Sequence, residues 1–567
     1  MRLLGYSGFN HDSAVALLED GKPIFVCEAE KIRRTKHELS PFPDEAVRRL
    51  LSTTGLTLGD IDALVVNYDA GPLANWGYLP HLWACLRQRN ADFGIIANNL
   101  VLSTSHTTSL LKYSLTGPIP PIRRVRHHLA HLSSTFLYSP FEEAAVAVID
   151  ASGELDCTTT YRCAGREFKR LSAMTLPTDS LGAVYIMATR HLGYRLIGDE
   201  YKVMGLAPFG EADPVFRRFF EELIVLEAEG RYSINPRLAG AIARNGCQFS
   251  EAISRRLGGR NMGGPGAFTD VHKSFARELQ RRIEDAILHV VRHLRKASGC
   301  KRLCLAGGVA LNSVANGRLK SESGFEEIFI PPAPHDAGTS LGAASYFHYY
   351  VNGGARPDPL DNAYLGQSFT DDAIEAEIRR CRLVVHRLDD PSREAARRLA
   401  GGEVIGWFQG KTEFGPRALG NRSILADPRM PLMKDKVNLS IKEREGYRPF
   451  APSVLEEAVD AYFPGLGVSP YMLFVVSVSD KARAEIPAVV HVDGTARPQT
   501  VSVQANPLFH RLISHFARAT GVPVVLNTSF NVAGEPIVNT PADAIRCFFG
   551  SGLDALVIGS FLLEKPQ

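Results

Sequence analysis

Short apolar runs separated by polar, glycine-bearing loops open the chain and predict strands. Leu3–Tyr6, Ala14–Leu18 and Pro23–Cys27 read as three strands, with Ser7–Asp12 as a loop after the first and Asp20-Gly21 as a hairpin signal. The same grammar returns at Val146–Ile149, Cys157–Arg162 and Phe168–Ala173, with the loop Asp150–Glu154 and the turn Ala164-Gly165 in the matching places. Such a repeat predicts two related α/β halves facing a cleft, approached by one loop with His11-Asp12 and another with Asp150. Leu129, Leu132, Phe136 and Leu137 set a helix that begins near His127. Val271, Phe275, Leu279, Ile283, Ile287, Val290, Val291 and Leu294 predict a long core-facing helix over 268–296. Pro214–Arg260 reads as a helical excursion. Leu73–Pro121, with Trp76, Tyr78, Trp83 and Phe93, reads as an elaboration packed on the core, a substrate cap being the other reading. Leu303–Asn312 is a strand running into paired glycines and a helix, and Asp336-Ala337-Gly338-Thr339 repeats that logic. Asn352–Pro359 is the clearest linker. Beyond it Val404–Gln409 and Val524–Asn531 are strands of a second domain.

A chain of 567 residues calls for two or more domains. Its 45% hydrophobic and 22% charged content is that of an ordinary globular protein, and a net charge of +3 requires no broad basic face for nucleic acid. The nine cysteines are scattered with no Cys-x-x-Cys pair, which predicts reduced, mostly buried thiols in a cytoplasmic protein. The start of the chain has no apolar leader pattern and no run approaches the ~20 apolar residues of a membrane span, so neither a signal peptide nor a membrane role is expected.

Chemistry concentrates at Arg126-His127-His128-Leu129-Ala130-His131. On a helix, His127 and His131 leave one face, and two imidazoles so placed suit iron, zinc or manganese. Asp150 ends a buried strand, where open α/β folds hold ligands. A fourth group can come from Pro334-His335-Asp336-Ala337-Gly338. The competing reading is that these histidines cap a helix and pair with carboxylates. Gly307-Gly308 suits close backbone approach to a nucleotide, and the following helix N-terminus suits an anion. In the second domain Lys411, Arg417, Arg422, Arg429, Lys442, Arg444, Arg448 and Arg497 stand beside Gly, Pro, Asn and Ser, and suggest a phosphate or acyl-phosphate pocket. Solvated surface charge accounts for Arg379, Arg380, Arg397 and Arg398.

Six motifs occur in one order: Asn10-His11-Asp12-Ser13-Ala14, Arg126–His131, Ala306-Gly307-Gly308-Val309-Ala310-Leu311-Asn312, Phe414-Gly415-Pro416-Arg417-Ala418-Leu419-Gly420-Asn421-Arg422-Ser423-Ile424, Arg448-Pro449-Phe450-Ala451-Pro452 and Leu526-Asn527-Thr528-Ser529-Phe530-Asn531. Together the chain resembles the O-carbamoyltransferases that decorate nodulation factors, cephalosporins, aminoglycosides and macrocyclic antibiotics. The resemblance implies an α/β architecture with a duplicated actin/sugar-kinase-like N-terminal domain (residues 1–355), akin to tRNA threonylcarbamoyl-transfer proteins, and a YrdC-like α/β C-terminal domain (360–567). It implies carbamoyl adenylate made from carbamoyl phosphate and ATP, with magnesium accompanying ATP, and carbamoyl transfer to the hydroxyl of a small-molecule acceptor. Carried over by motif, the metal ligands are His127, His131, Asp150 and Asp336, for Fe(II) or another divalent transition metal. His11 is the general base, with Asp12 orienting it. Lys36, Gly307, Gly308 and Asn312 meet the nucleotide or carbamoyl adenylate, and Arg417, Lys442, Arg448, Arg497, Asn527 and Ser529 hold carbamoyl phosphate and ATP. A homodimer is compatible with the resemblance. Two other functions are compatible with the sequence, a fused tRNA threonylcarbamoylation enzyme and a non-catalytic binding module.

Overall fold

The computed structural model describes residues 1–8, 11–37, 44–69, 117–175, 179–194, 198–239, 248–261, 263–264 and 267–565. Asn10 and most of the Leu73–Pro121 elaboration, with Trp76, Tyr78, Trp83 and Phe93, lie outside the described residues. The chain forms two compact units, one of Met1–Ala29 with His37–Leu360 and one of Glu30–Lys36 with Asp361–Gln567.

The first unit holds two five-stranded sheets of one topology. In the first, β1 (Arg2–Ser7), β2 (Ala14–Glu19) and β3 (Lys22–Glu28) form an antiparallel meander, and β4 (Ala63–Val66) and β5 (Ile122–Arg124) extend it in parallel from β1. In the second, β6 (Glu143–Ile149), β7 (Asp156–Ala164) and β8 (Glu167–Thr175) repeat the meander, and Arg302–Ala306 and Glu327–Phe329 repeat the parallel extension. The second sheet thus repeats the topology of the first, the duplication that the repeated strand pattern predicts. β1, β2 and β6 are buried almost throughout, and therefore read as continuous apolar runs and not as alternating ones.

Two helices carry the chemistry. His127–Phe136 and Asp336–Tyr346 pack so closely that a Cβ on Gly342 would stand 1.9 Å from the carbonyl oxygen of Ala130. On its other side the second helix meets β1, where a Cβ on Gly5 would fall 1.9 Å from the Ser340 carbonyl oxygen. The long helix spans Asp270–Ser298 and ends at Gly299 in the left-handed region, the usual C-terminal stop. Val271, in its first turn, is 49% exposed and is not a core residue as its spacing suggested. The Pro214–Arg260 excursion is not wholly helical either. Between its helices Ile224–Leu226 and Tyr232–Ile234 pair as a small hairpin.

The second unit is built on a mixed eight-stranded sheet in the order His386–Arg387, Phe561–Glu564, Ala555–Ile558, Ile405–Phe408, Arg422–Ala426, Val524–Ser529, Ala451–Leu455, Gln499–Val501. Trp407 is fully buried at its centre and donates its indole N–H to the Gly420 carbonyl at 2.8 Å.

Candidate functional site

His127 is the first residue of its helix and His131 lies one turn on, so their rings meet edge to face with centroids 4.6 Å apart. Asp150 follows β6 directly, and Asp336 opens its helix. All four side chains are buried, and one ligand atom from each lies within 4.8 Å of every other. His127 Nε2 is 3.2 Å from Asp150 Oδ2 and 3.5 Å from Asp336 Oδ1, while His131 Nε2 is 3.7 Å and 3.5 Å from the same two oxygens. The two Nε2 atoms are 3.1 Å apart. Donors about 2.0–2.2 Å from one ion in tetrahedral array stand roughly 3.4 Å from each other, so these spacings fit a cation of that size. Two carboxylates and two imidazoles also neutralise a dication. The cluster could hold a metal ion.

A second layer fixes these groups. Gly308 donates its N–H to Asp150 Oδ1 at 3.0 Å, and Gly307 adopts φ 91° where a Cβ would stand 2.2 Å from the Ile149 carbonyl oxygen. Only glycine fits there. Ser7 Oγ and Thr339 Oγ1 both donate to the Asp336 carbonyl, at 2.8 and 2.5 Å. The Asn67 amide lies 3.4 Å from His127 Nδ1 and 2.7 Å from Thr339 Oγ1. Glu154 Oε1 accepts the backbone N–H of His127 at 2.9 Å and of Asp69 at 3.0 Å, supplying the acceptor that the first helical N–H groups need. His128, between the two candidate ligands, faces elsewhere. Its Nδ1 bonds Thr159 Oγ1 at 2.7 Å, and burial with the neighbouring imidazoles holds its pKa well below the usual range.

The charges are strongly coupled. Burial disfavours the His127 cation, but Asp336 and Asp150 outweigh it and raise His127 well above its ordinary value. Asp150 is held well below the usual carboxylate range against its own burial, by His127 and His131, and Asp336 is also lowered. In the loop after β1, Asp12 adopts φ 53° and places its carboxylate between two rings, 2.9 Å from His11 Nδ1 and 3.0 Å from His37 Nδ1. Burial opposes charge on His11, yet Asp12, then Asp336 and Asp150, push its pKa up to about 10. Asn312 caps the helix Ser313–Glu322 and exchanges hydrogen bonds with Gln280 at 3.0 and 3.1 Å.

In the second unit Lys442 is 3% exposed. Its ammonium donates to the main-chain and side-chain oxygens of Ser529 and to Asn531 O and Oδ1, the last at 2.6 Å. Burial first, and then the positive charges of Arg444, Arg448 and Lys36, drive its pKa well below normal. Such a cationic nest attracts an anion. Arg448 also lies 3.6 Å from Glu445. Arg417 sits on the loop before Arg422–Ala426, and Arg497 lies beside His491, whose cation it disfavours after burial. Asn527 is turned into a buried network, donating to Ser453 Oγ at 3.0 Å and Gln499 Oε1 at 3.1 Å.

Two arginines read from the sequence as pocket residues are structural instead. Arg422 is fully buried, stacks 3.6 Å over Phe408 and donates to the carbonyls of Gln409, Gly410 and Gln367. Arg429 is occupied by Asp427 at 2.7 Å. Arg379 and Arg380 form exposed pairs with Glu375 and Glu377, as surface charge should. Sequence reading assigned no role to Asn67, Thr339, Glu154 and His37. Asn67 follows β4, which lies parallel to β1, and that position just past a strand's C-terminal end was the available signal.

Comparison with known proteins defines the class. Residues 2–345 match the model of the carbamoyltransferase N-terminus and residues 396–565 that of the carbamoyltransferase C-terminus. The chain therefore belongs to the carbamoyltransferase family. It is 40% identical over 566 residues to nodulation protein NolNO of Sinorhizobium fredii (98% of this chain, 79% of that protein) and 42% identical over 449 residues to nodulation protein NolO of Bradyrhizobium diazoefficiens (78% and 79%). It is 28% identical over 591 residues to nodulation protein U of Sinorhizobium fredii, with both chains fully covered. No helix among the described residues is long and apolar enough to cross a membrane.

Proposed function

We propose that this protein is an ATP-dependent O-carbamoyltransferase in which the two units carry different steps. The observation that carries the reading is the buried His127, His131, Asp150 and Asp336 set beside the His11-Asp12 pair, in a chain of this family. In the YrdC-like second unit water cleaves carbamoyl phosphate to carbamate and phosphate, and a carbamate oxygen then attacks the α-phosphorus of ATP, giving carbamoyl adenylate as pyrophosphate leaves. Lys442, Arg448, Arg417, Arg497 and Ser529 bind the phosphates there, Asn527 shapes the floor beneath them, and Lys36 adds positive charge. Magnesium accompanies ATP. In the first unit the acceptor hydroxyl attacks the carbamoyl carbon and AMP departs.

His127, His131, Asp150 and Asp336 would hold a divalent transition metal, Fe(II) by resemblance, which when bound supplies Lewis-acid polarisation of the carbamoyl carbonyl. Gly308 steadies Asp150 through its N–H, and the Gly307 turn with Asn312 shapes the approach for the nucleotide. His11 takes the hydroxyl proton on the ring nitrogen not engaged by Asp12, and Asp12 fixes the ring and its tautomer. Neutralising Asp150 and Asp336 removes two of the charges that hold His11 protonated, and this brings it toward the range of a base. The acceptor is a small-molecule hydroxyl, and the protein works in the cytoplasm without nucleic acid.

The test incubates metal-loaded protein with ATP, carbamoyl phosphate and a panel of sugar and polyketide alcohols, and follows product mass and pyrophosphate. Product with His127→Ala or Asp336→Ala at the wild-type rate removes the cluster from the reaction. Modification of tRNA with threonine and bicarbonate, but of no small alcohol, redirects the reading to the tRNA-modifying relatives.

A further inference from the structure

Residues Glu30–Lys36 are encoded within the N-terminal half but belong to the C-terminal unit. We infer that Lys31 and Arg34 are positioning residues for the C-terminal anion pocket, bracing the two loops that carry its functional groups. The inference rests on the proposed activation role of that pocket.

Lys31 is 3% exposed and its ammonium donates to the carbonyl oxygens of Glu413 at 2.7 Å and Gly415 at 2.9 Å. Charge-assisted bonds of this kind are stronger than neutral ones and justify burying the ammonium. They grip the start of the loop bearing Arg417. Glu413 fixes the return of that loop, because its Oε1 accepts the N–H groups of Leu419, Asn421 and Arg422 at 2.9, 2.9 and 3.0 Å. Lys31 thus acts on Arg417 through Glu413.

Arg34 grips the other loop. Its Nη1 donates to the Ile537 carbonyl at 2.5 Å, and its Nη2 to the Pro536 carbonyl at 2.8 Å and Glu535 Oε2 at 3.1 Å. The Glu535 carbonyl accepts the Asn531 amide at 2.6 Å, and Asn531 Oδ1 in turn accepts from Lys442 at 2.6 Å. The path from Arg34 to Lys442 is therefore two residues long. Arg34 also adopts φ 59°, a conformation that costs a non-glycine residue of order 1 kcal/mol and persists where its surroundings fix it. Two residues further on, Lys36 contributes to the field at Lys442. A stretch spent only on holding the fold would not converge on both pocket loops.

The experiment uses the full-length, metal-loaded protein with Lys31→Met, Arg34→Met and the conservative Arg34→Lys, and reads amide hydrogen exchange by mass spectrometry. Loss of bonds from a charged donor raises local opening about 10–100-fold. The expected result is that increase in residues 413–422 for Lys31→Met and in 529–538 for Arg34→Met, part of it recovered in Arg34→Lys. In carbamoyl-phosphate-dependent ATP–pyrophosphate exchange, KM rises about tenfold or more, while transfer from supplied carbamoyl adenylate keeps its kcat. Exchange unchanged in both loops, or raised evenly across both units, overturns the inference. If wild type runs no such pyrophosphate exchange, the activation reading fails, and amide exchange alone still decides the bracing.

Discussion

The His127, His131, Asp150 and Asp336 cluster, treated with a chelator, should show an affinity for a divalent cation that climbs steeply with pH, and the structure sets the slope. Without a cation, Asp150 and Asp336 are both ionised and His127 carries a proton well above the usual imidazole range, because those two carboxylates face it in a buried place. His127 Nε2 is the atom aimed at the cluster, so a cation can bind it only after that proton leaves. One proton exchanged for one cation makes affinity rise about tenfold per pH unit, ~1.4 kcal/mol, at pH values below the raised folded-state pKa of His127. Between pH 6.5 and 8.5 that is about 100-fold. The sign for metal-free stability is the reverse. A raised folded-state pKa adds stability that is fully present below ~6.5 and is lost as pH rises through the folded value, so the apoprotein should weaken as the holoprotein tightens. The assay is competition of Co(II) against a chelator across this range, with protons released counted in weakly buffered solution. About one proton per ion is expected at pH 7. Affinity that stays flat with pH, while Co(II) still binds, would refute the reasoning by showing that His127 is already neutral.

Three further outcomes follow from contacts already described. Gly342→Ala should cost about 4 kcal/mol or more, read by denaturant unfolding, because the new methyl meets the Ala130 carbonyl at 1.9 Å and the two ligand-bearing helices must part. Asn67→Ala should weaken metal binding about 10–100-fold in the same chelator competition, since a metal-bound His127 carries its hydrogen on Nδ1 and turning the Asn67 amide over brings its otherwise unpartnered Oδ1 there as the acceptor. His11→Ala should leave metal content and carbamoyl-adenylate formation intact and slow single-turnover transfer by about 10²–10⁴-fold; a rate within a few-fold of wild type makes His11 structural.

The fold was legible where burial writes a pattern. Both meanders were readable because each is a set of apolar runs cut by turns, and the duplication followed from seeing that grammar twice. The small hairpin at Ile224–Ile234 was not, since its strands are three residues each, too short for a period to register. Of the candidate site, the histidine pair was legible through its helical spacing and Pro334–Gly338 as the source of a fourth group, whereas the choice of Asp336 within that segment depended on resemblance, because nothing local ties a residue near 336 to one near 131. That tie is made by Gly342 against Ala130, a long-range contact carried by the absence of a side chain. Arg422 shows the opposite failure. Its neighbours suggested a phosphate ligand, but burial and the Phe408 ring turn the same guanidinium into a support for the loop.

The duplication also accounts for the division of labour at the site. In each half the loop after the first strand carries an aspartate that meets two imidazoles: Asp12 with His11 and His37 after β1, Asp150 with His127 and His131 after β6. The two settings diverge through which ring nitrogen faces the carboxylate. Around Asp12 both contacts are made by Nδ1, so on His11 the Nε2 is the nitrogen left to take a proton from a hydroxyl. Around Asp150 both are made by Nε2, the nitrogens turn inward, and Asp336 supplies the second carboxylate that closes a cation site. In the proposed function the same local pattern would thus serve as a base in one half and as a cation site in the other.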